Sequence, residues 1–422
     1  MLSTFYLITI KHILLYNRID ETSKASINNN SQLLISMAKK ILGVDYNILL
    51  LGIVSFLTDI SSEMIFSVFS IFFTVILGAS AALLGLIEGL SDFAASSLDY
   101  IAGYLSDKAG KRKSFAMAGY GFSTIAKTIL VISSSVSAAF VFRIVERLGK
   151  SVRGPPRDAW ISNLADENSR GYAFGLHKTL DKAGAIIGPF IAYGILSILG
   201  QNMHAFYILF LVAVIPAALA VILLYFVKEK AEQPKVRENI FRAYGSLGKC
   251  FKDYLKSGGI FSLAYFSFGF LLLKAYLVGF EIKDIVLLYA LFNVSFVIVA
   301  VPIGKLGDKI GRRKIIASGY LAYFLMCSGF IFASTKEAVI LLFILFGIFY
   351  AIDESQSKAY ITDLEKEKRG TAIGMYNFIT GLIYLPASLI AGGLWMIDPN
   401  YAFGFAAFVS LAALVFFISR KR

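Results

Sequence analysis

Gly103-Tyr104-Leu105-Ser106-Asp107-Lys108-Ala109-Gly110-Lys111-Arg112-Lys113 returns as Gly304-Lys305-Leu306-Gly307-Asp308-Lys309-Ile310-Gly311-Arg312-Arg313-Lys314. Glycine, aspartate, lysine, glycine and a basic triplet coincide, with an offset of 201 from Gly103 to Gly304 and from Asp107 to Asp308. Each copy sits between two long apolar runs. The chain therefore reads as two units of one architecture laid end to end.

Those apolar runs set the class. With 57% hydrophobic residues, 16% charged and a mean hydropathy of +0.70, the 422-residue chain is too apolar for a soluble protein. A membrane helix needs ~20 apolar residues, so about twelve spans fit. Continuous runs, rather than ten-residue alternation, favour helices over a β-barrel. The fold class is thus all-α and integral to the membrane, with twelve spans in two six-helix bundles.

A net charge of +13 would suggest nucleic acid in a soluble protein, but its placement excludes that. Lys108, Lys111 to Lys113, Arg157, Arg170, residues 228–256, residues 309–314, residues 366–369 and residues 420–422 fall in alternate loops. The other loops carry Lys283, Lys336 and little else. The positive-inside rule makes the basic loops cytoplasmic, with both termini inside. Cys250 and Cys327 have no metal-like spacing, so neither a disulfide nor a zinc site is expected. No nucleotide loop, metal cluster or catalytic triad pattern appears, and no cofactor or enzyme activity is expected.

In chain order, residues 1–44 form a poorly ordered or interfacial extension, in which Met37 is a candidate start. Residues 45–227 make the first bundle, 228–256 a cytoplasmic linker with Pro234, and 257–422 the second bundle. The fourth span reads to about Val152, and Pro155 and Pro156 predict an extended exit after it. In the fifth, Gly184 and Gly188 form a small-xxx-small pair beside Pro189. The seventh span reads as one run over 257–279.

The repeated loop, twelve spans and long linker resemble the major facilitator superfamily over nearly the whole chain after residue 40. Gly103 to Lys113 is similar to that family's signature between the second and third spans. Arg143 is similar to its fourth-span motif, with Arg147 where glycine is usual and Gly149 kept. Gly184 to Pro189 is similar to the fifth-span motif of antiporters and efflux pumps, with Ala192-Tyr193 where a glycine pair is usual. Thr58 to Met64, Gly85 to Gly89, and Glu146 to Lys150 with Pro156 to Asp158 resemble a prokaryotic branch whose substrates are mostly unassigned.

An ionisable group at mid-bilayer costs ~2.5–3.5 kcal/mol on insertion scales, so each needs a partner or a wet cavity. Asp59 and Asp92 are the leading proton-coupling candidates, followed by Glu63, Glu88 and Glu146. Arg143 is their expected counter-charge, with Arg147 nearby. Lys178, Asp181, Asn293, Tyr376 and Asn377 are candidates for the substrate cavity, since a buried amide needs a partner. Asp107 is placed to meet the N-terminus of the eleventh span near Gly370 and Thr371, where the helix dipole favours an anion. The resemblance implies the same latch, closing the cytoplasmic side in the outward-facing state, with Gly103, Gly110, Arg112 and Arg153 or Arg157 completing it. Asp308 would do the equivalent toward Gly171, with Gly304, Gly311 and Arg312.

The leading functional reading is a monomeric, proton-coupled secondary transporter of the cell membrane that exports a small organic solute, its surroundings being membrane lipid. Proton-coupled uptake and a non-transporting membrane sensor are the alternatives.

Overall fold

The computed structural model describes residues 40–41, 44–165, 170–229, 244–366 and 368–420. Expectations for the first 39 residues, including Met37, and for the middle of the linker lie outside the described residues.

A two-residue antiparallel ribbon, Lys40–Ile41 against Val44–Asp45, leads into the first helix. The helices are α1 (Tyr46–Ile71, ending in a π-helical turn, Phe72–Ile76), α2 (Ala81–Ala109), α3 (Arg112–Ile132), α4 (Val136–Leu164), α5 (Arg170–Leu199) and α6 (Met203–Phe226). After the linker come α7 (Lys249–Ala264), α8 (Gly269–Leu277), α9 (Ile282–Ile310), α10 (Arg312–Phe332), α11 (Lys336–Leu364), α12 (Arg369–Ile397) and α13 (Pro399–Ser419). With α7 and α8 taken as one broken span, 11 helices among the described residues are long and apolar enough to cross a membrane. Helix α4 is the exception, because Arg143, Glu146, Arg147, Lys150 and Arg153 lie along it.

Polar residues at the boundaries say where these helices begin. Asp45, Ser80, Ser135, Asn202, Thr335 and Asp398 each accept a hydrogen bond from a first-turn backbone N–H. The repeated loop shows why its second glycine recurs. Gly110 ends α2 with φ +62° and Gly311 ends α9 with φ +97°, conformations that a side chain resists.

Two expectations are corrected. The prolines do not end the fourth span, since α4 continues through Pro155 and Pro156 to Leu164. Burial of Trp160, Ile161 and Leu164 in a core cluster with Leu51 and Leu224 contributes ~1.5–3 kcal/mol each, together comparable to the ~3 kcal/mol that each of the two interior prolines costs. The seventh span is also not one run. It starts at Lys249 and breaks at residues 265–268. The Tyr323 hydroxyl donates to the Ala264 carbonyl (3.1 Å), and the Ser267 hydroxyl accepts from Gly269 N–H (3.1 Å), so the break does not strand those groups.

In the first half α1 packs on α5 and α6, α4 on α2 and α3, and α3 on α6. In the second, α11 packs on α9 and α10, and α13 on α7 and α10. The halves meet through α2 with α12, α5 with α9, and α1 with α8. Gly184 and Gly188 bring α5 onto the α1 backbone, and a Cβ on Gly188 would lie 2.6 Å from the Ile60 carbonyl oxygen. Pro189 sits buried within α5, which runs on past it.

Candidate functional site

Between the halves lies a cavity of about 420 Å³. Its first wall comes from α1, α2, α4 and α5, which place Glu63, Glu88, Asp92, Asp99, Arg143, Arg147, Lys150 and Lys182 along it. Two arginine–carboxylate pairs organise this wall. The Arg143 guanidinium donates to both Glu88 carboxylate oxygens (Nε 2.7 Å, Nη2 2.6 Å) and lies 4.5 Å from the Phe66 ring centre. Arg147 pairs with Asp92 at 3.1 Å. Bidentate geometry and the neighbouring ring offset part of the cost of burying the Arg143 charge.

The second wall is aromatic. Tyr265, Phe268, Tyr289, Phe292, Tyr350 and Tyr384 line it, and the break between α7 and α8 is what turns Phe268 inward. Phe268 rests edge-on against Tyr289 with ring centres 5.2 Å apart, and Phe292 lies 5.0 Å from Phe268 and 5.4 Å from Tyr350. A hydrogen bond crosses the cavity between the walls, from the Tyr289 hydroxyl to the Glu63 carboxylate. Asp353 and Glu354 also line the space, and Glu354 is bonded to Lys358 at 2.7 Å.

The sequence candidates divide on this geometry. Glu63, Glu88, Asp92, Arg143, Arg147 and Asn293 all face the cavity. Arg143, expected to answer all the acids, is taken by Glu88, while Arg147 takes Asp92. Asp59 is off the cavity wall, at the α1–α5 contact, with its Cβ 3.1 Å from where a Gly184 Cβ would be. Glu146 lies behind the wall, fully buried, with both oxygens lacking a hydrogen bond among the described residues and the charges of Arg153, Arg147, Lys127 and Lys150 nearby. Lys127, equally buried, donates to Ser62 at 3.0 Å.

Four cavity candidates are placed elsewhere. Lys178 bonds Asp181 (3.2 Å), and Asp181 accepts from Ser55 (2.6 Å), which in turn accepts from Arg157 (3.1 Å), a network joining α1, α4 and α5 one turn before the cavity-lining Lys182. Tyr376 stacks on Tyr254 with ring centres 5.4 Å apart, and Asn377 is exposed. Tyr376 is thus turned to α7, whereas Asn377 lies two turns before the cavity-lining Tyr384 on the same face of α12, toward the basic loops. Tyr289, Phe268 and Tyr350 escape sequence reading because nothing in it reveals which aromatics of an apolar span face inward.

The repeated loops, expected to latch the halves in the outward-facing state, make other contacts here. Asp107 is buried and pairs with Arg112 (3.5 Å), which donates to the Ala159 carbonyl (2.8 Å). Asp308 pairs with Arg312 (2.9 Å), which reaches Asp363 (2.7 Å). Arg153 turns to Ser123 and the Tyr120 ring, and Arg157 to Ser55 and Asp158. In this conformation each of these contacts lies within its own half, and a Cβ on Gly171 or Gly370 would touch nothing within 4 Å among the described residues. Gly103 and Gly304 sit one turn before these aspartates, in α2 and α9.

On the opposite side the halves are tightly joined. A Cβ on Gly392 would lie 2.9 Å from the Ala81 carbonyl oxygen, and one on Gly89 3.0 Å from that of Leu385. The Gln201 side chain accepts from Ile282 N–H (2.6 Å) and donates to Glu281 (3.2 Å). Lys283, bonded to Glu281, holds that carboxyl below its usual value, so it stays ionised as the acceptor at neutral pH. The cavity is therefore closed away from the basic loops.

A membrane helix bundle with a lined cavity between two halves belongs to the class of solute transporters. The family model of the Major Facilitator Superfamily matches residues 51–285 and 257–422. An uncharacterized MFS-type transporter of Methanocaldococcus jannaschii is 38% identical over 373 residues, covering 86% of this chain and 92% of its own. Multidrug resistance protein 2 of Bacillus subtilis is 24% identical over 329 residues, 74% of this chain and 80% of its own. The crystal structure of the nucleoside transporter NupG superposes with a TM-score of 0.70 at 14% identity, covering 89% of this chain and 100% of that one. The chain belongs to the Major Facilitator Superfamily, as a multi-pass transporter of the cell membrane rather than an enzyme.

Proposed function

We propose that this transporter exports a small organic solute in exchange for protons, by rocking of two six-helix bundles about the cavity. The observation that carries the reading is the Glu63–Tyr289 hydrogen bond, a carboxylate of one half held by the other inside the solute-sized space. Protonating Glu63 removes the charge from that acceptor and weakens the contact between halves, so proton uptake and movement are linked at one atom pair. Asp92 and Glu88 are held by arginines that keep their charge, and release of either pair would expose a second carboxylate to protons. Resemblance to a multidrug resistance protein and the fifth-span motif at Gly184 to Pro189 support export.

The basic loops support twelve spans with both termini in the cytoplasm, and hence an inward-facing cavity here. Residues 45–227 form one bundle and the helices from α7, which begins at Lys249, form the other, in a monomer. In the outward-facing state Asp107 closes onto the α12 N-terminus, and Asp308 onto that of α5, where Gly370 and Gly171 leave room for approach.

The test is a thermal-shift screen of the purified chain against a solute library at two pH values, followed by flux in proteoliposomes. With the solute so found, Glu63→Gln and Asp92→Asn should abolish pH-gradient-driven flux while exchange of solute for solute continues. Wild-type gradient-driven flux in both variants would refute proton coupling at these residues. Accumulation with an inward proton flow would reverse the direction.

A further inference from the structure

Outside the cavity, α7, α12 and α13 leave an apolar groove of about 910 Å³ on the surface of the second half. Leu263, Ile379, Ile383 and Phe416 line it, and Gly259 keeps it open, since a Cβ there would already be 3.3 Å from Ile383. From Lys256 at its mouth to Leu263 is seven residues of α7, so it runs about 10 Å into the hydrocarbon from the side of the basic loops.

The mouth is basic. Lys249, Lys252 and Lys256 follow one another at helical spacing on one face of α7. Lys252 donates to the Gly245 carbonyl (3.1 Å) and lies 5.1 Å from the Tyr244 ring centre, while Lys368 bonds Ser246 (2.7 Å), so these two hold the Tyr244–Ser246 turn beside the groove. Of the nearby acids, Glu365 accepts from Gly248 N–H (2.5 Å), and Asp253 lies on α7 between Lys252 and Lys256. Lys256 is exposed, lines the groove, and has no hydrogen bond or ion pair among the described residues. An ammonium in that position above an apolar trough is complementary to an anionic headgroup on an acyl chain.

We propose that this groove is a binding site for an anionic phospholipid of the leaflet on the basic side, its phosphate at Lys256 and one acyl chain along Leu263 and Ile383. A lysine near an anionic membrane surface contributes about 1 kcal/mol, which is roughly a fivefold change in affinity. The site does not depend on the direction or coupling of transport.

Native mass spectrometry of the purified full chain, with phosphatidylglycerol and phosphatidylcholine added in turn at equal concentration, tests it. A one-lipid adduct should form in preference with phosphatidylglycerol. Lys256→Gln should lower that preference about fivefold. Leu263→Trp, which fills the groove, should reduce adducts of both lipids, and Lys309→Gln, an exposed lysine outside the groove, should change neither. Equal binding of the two lipids by the unaltered chain, or an equal loss in the Lys309 and Lys256 variants, would overturn the proposal.

Discussion

Replacing Glu88 by Gln leaves the Arg143 guanidinium charged and without its carboxylate, in a place where the two side chains are only 7% and 5% exposed. The unaltered pair has two short bonds, at 2.7 and 2.6 Å, and Arg143 Nη1 already lacks a hydrogen-bond partner among the described residues. Breaking a buried pair from one side costs ~3–5 kcal/mol, because the survivor is an uncompensated charge. That is a large share of a stability of ~5–15 kcal/mol. Arg143→Gln should cost as much, plus ~0.5–2 kcal/mol for the lost contact with the Phe66 ring. The double replacement removes both charges, so it should cost at least ~2 kcal/mol less than the sum of the singles. Unfolding of the purified chain in mixed micelles, titrated with a denaturing detergent, measures all four corners of this cycle. The pH dependence separates the two singles: a lone Glu88 loses its charge by taking a proton as pH falls, whereas Arg143 cannot lose its own. Additivity within ~0.5 kcal/mol would show that the pair is not a coupled unit and refute the reasoning.

Two further outcomes follow from packing. Gly85→Leu would drive a side chain into the Ser388 carbonyl at the α2–α12 contact, an overpacking of ~1–3 kcal/mol set against the closed side, equivalent to a roughly 5–150-fold shift in the conformational balance. Thiol labelling of Ser388→Cys, in a chain whose exposed Cys250 is replaced by Ser, should speed up accordingly, and unchanged labelling of folded protein would contradict it. Trp160→Ala should cost ~3–5 kcal/mol and loosen α4 beyond its prolines, visible as faster hydrogen exchange over residues 157–164. Exchange no faster than in the unaltered chain would mean that core burial is not what carries the helix past Pro155 and Pro156.

Much of the architecture was legible because a membrane simplifies the code. Apolar runs of span length mark helices, the alternation of basic loops orders them, and Asp107 with Asp308 declares the repeat. Charge in an apolar span is equally loud, which is why Glu63, Glu88, Asp92, Arg143 and Arg147 stand out before their positions are known. A span whose sides are all apolar carries no such signal. The faces of Tyr289, Phe268 and Tyr350 therefore could not be read, and Tyr376 packs on Tyr254 rather than into the cavity.

By itself the sequence determined the class, the order of apolar runs, the repeat and the set of charges that need partners, since each follows from local composition and from the cost of a charge in hydrocarbon. Tertiary structure alone decided the pairings: Arg143 with Glu88, Arg147 with Asp92, Tyr289 with Glu63, and Asp107 with Arg112. It also carried α4 through two prolines and broke the seventh span at 265–268. The reason is the same in each case. Local propensities of a few kcal/mol are outweighed when several side chains are buried at once, and which of them are buried depends on helices distant in the chain.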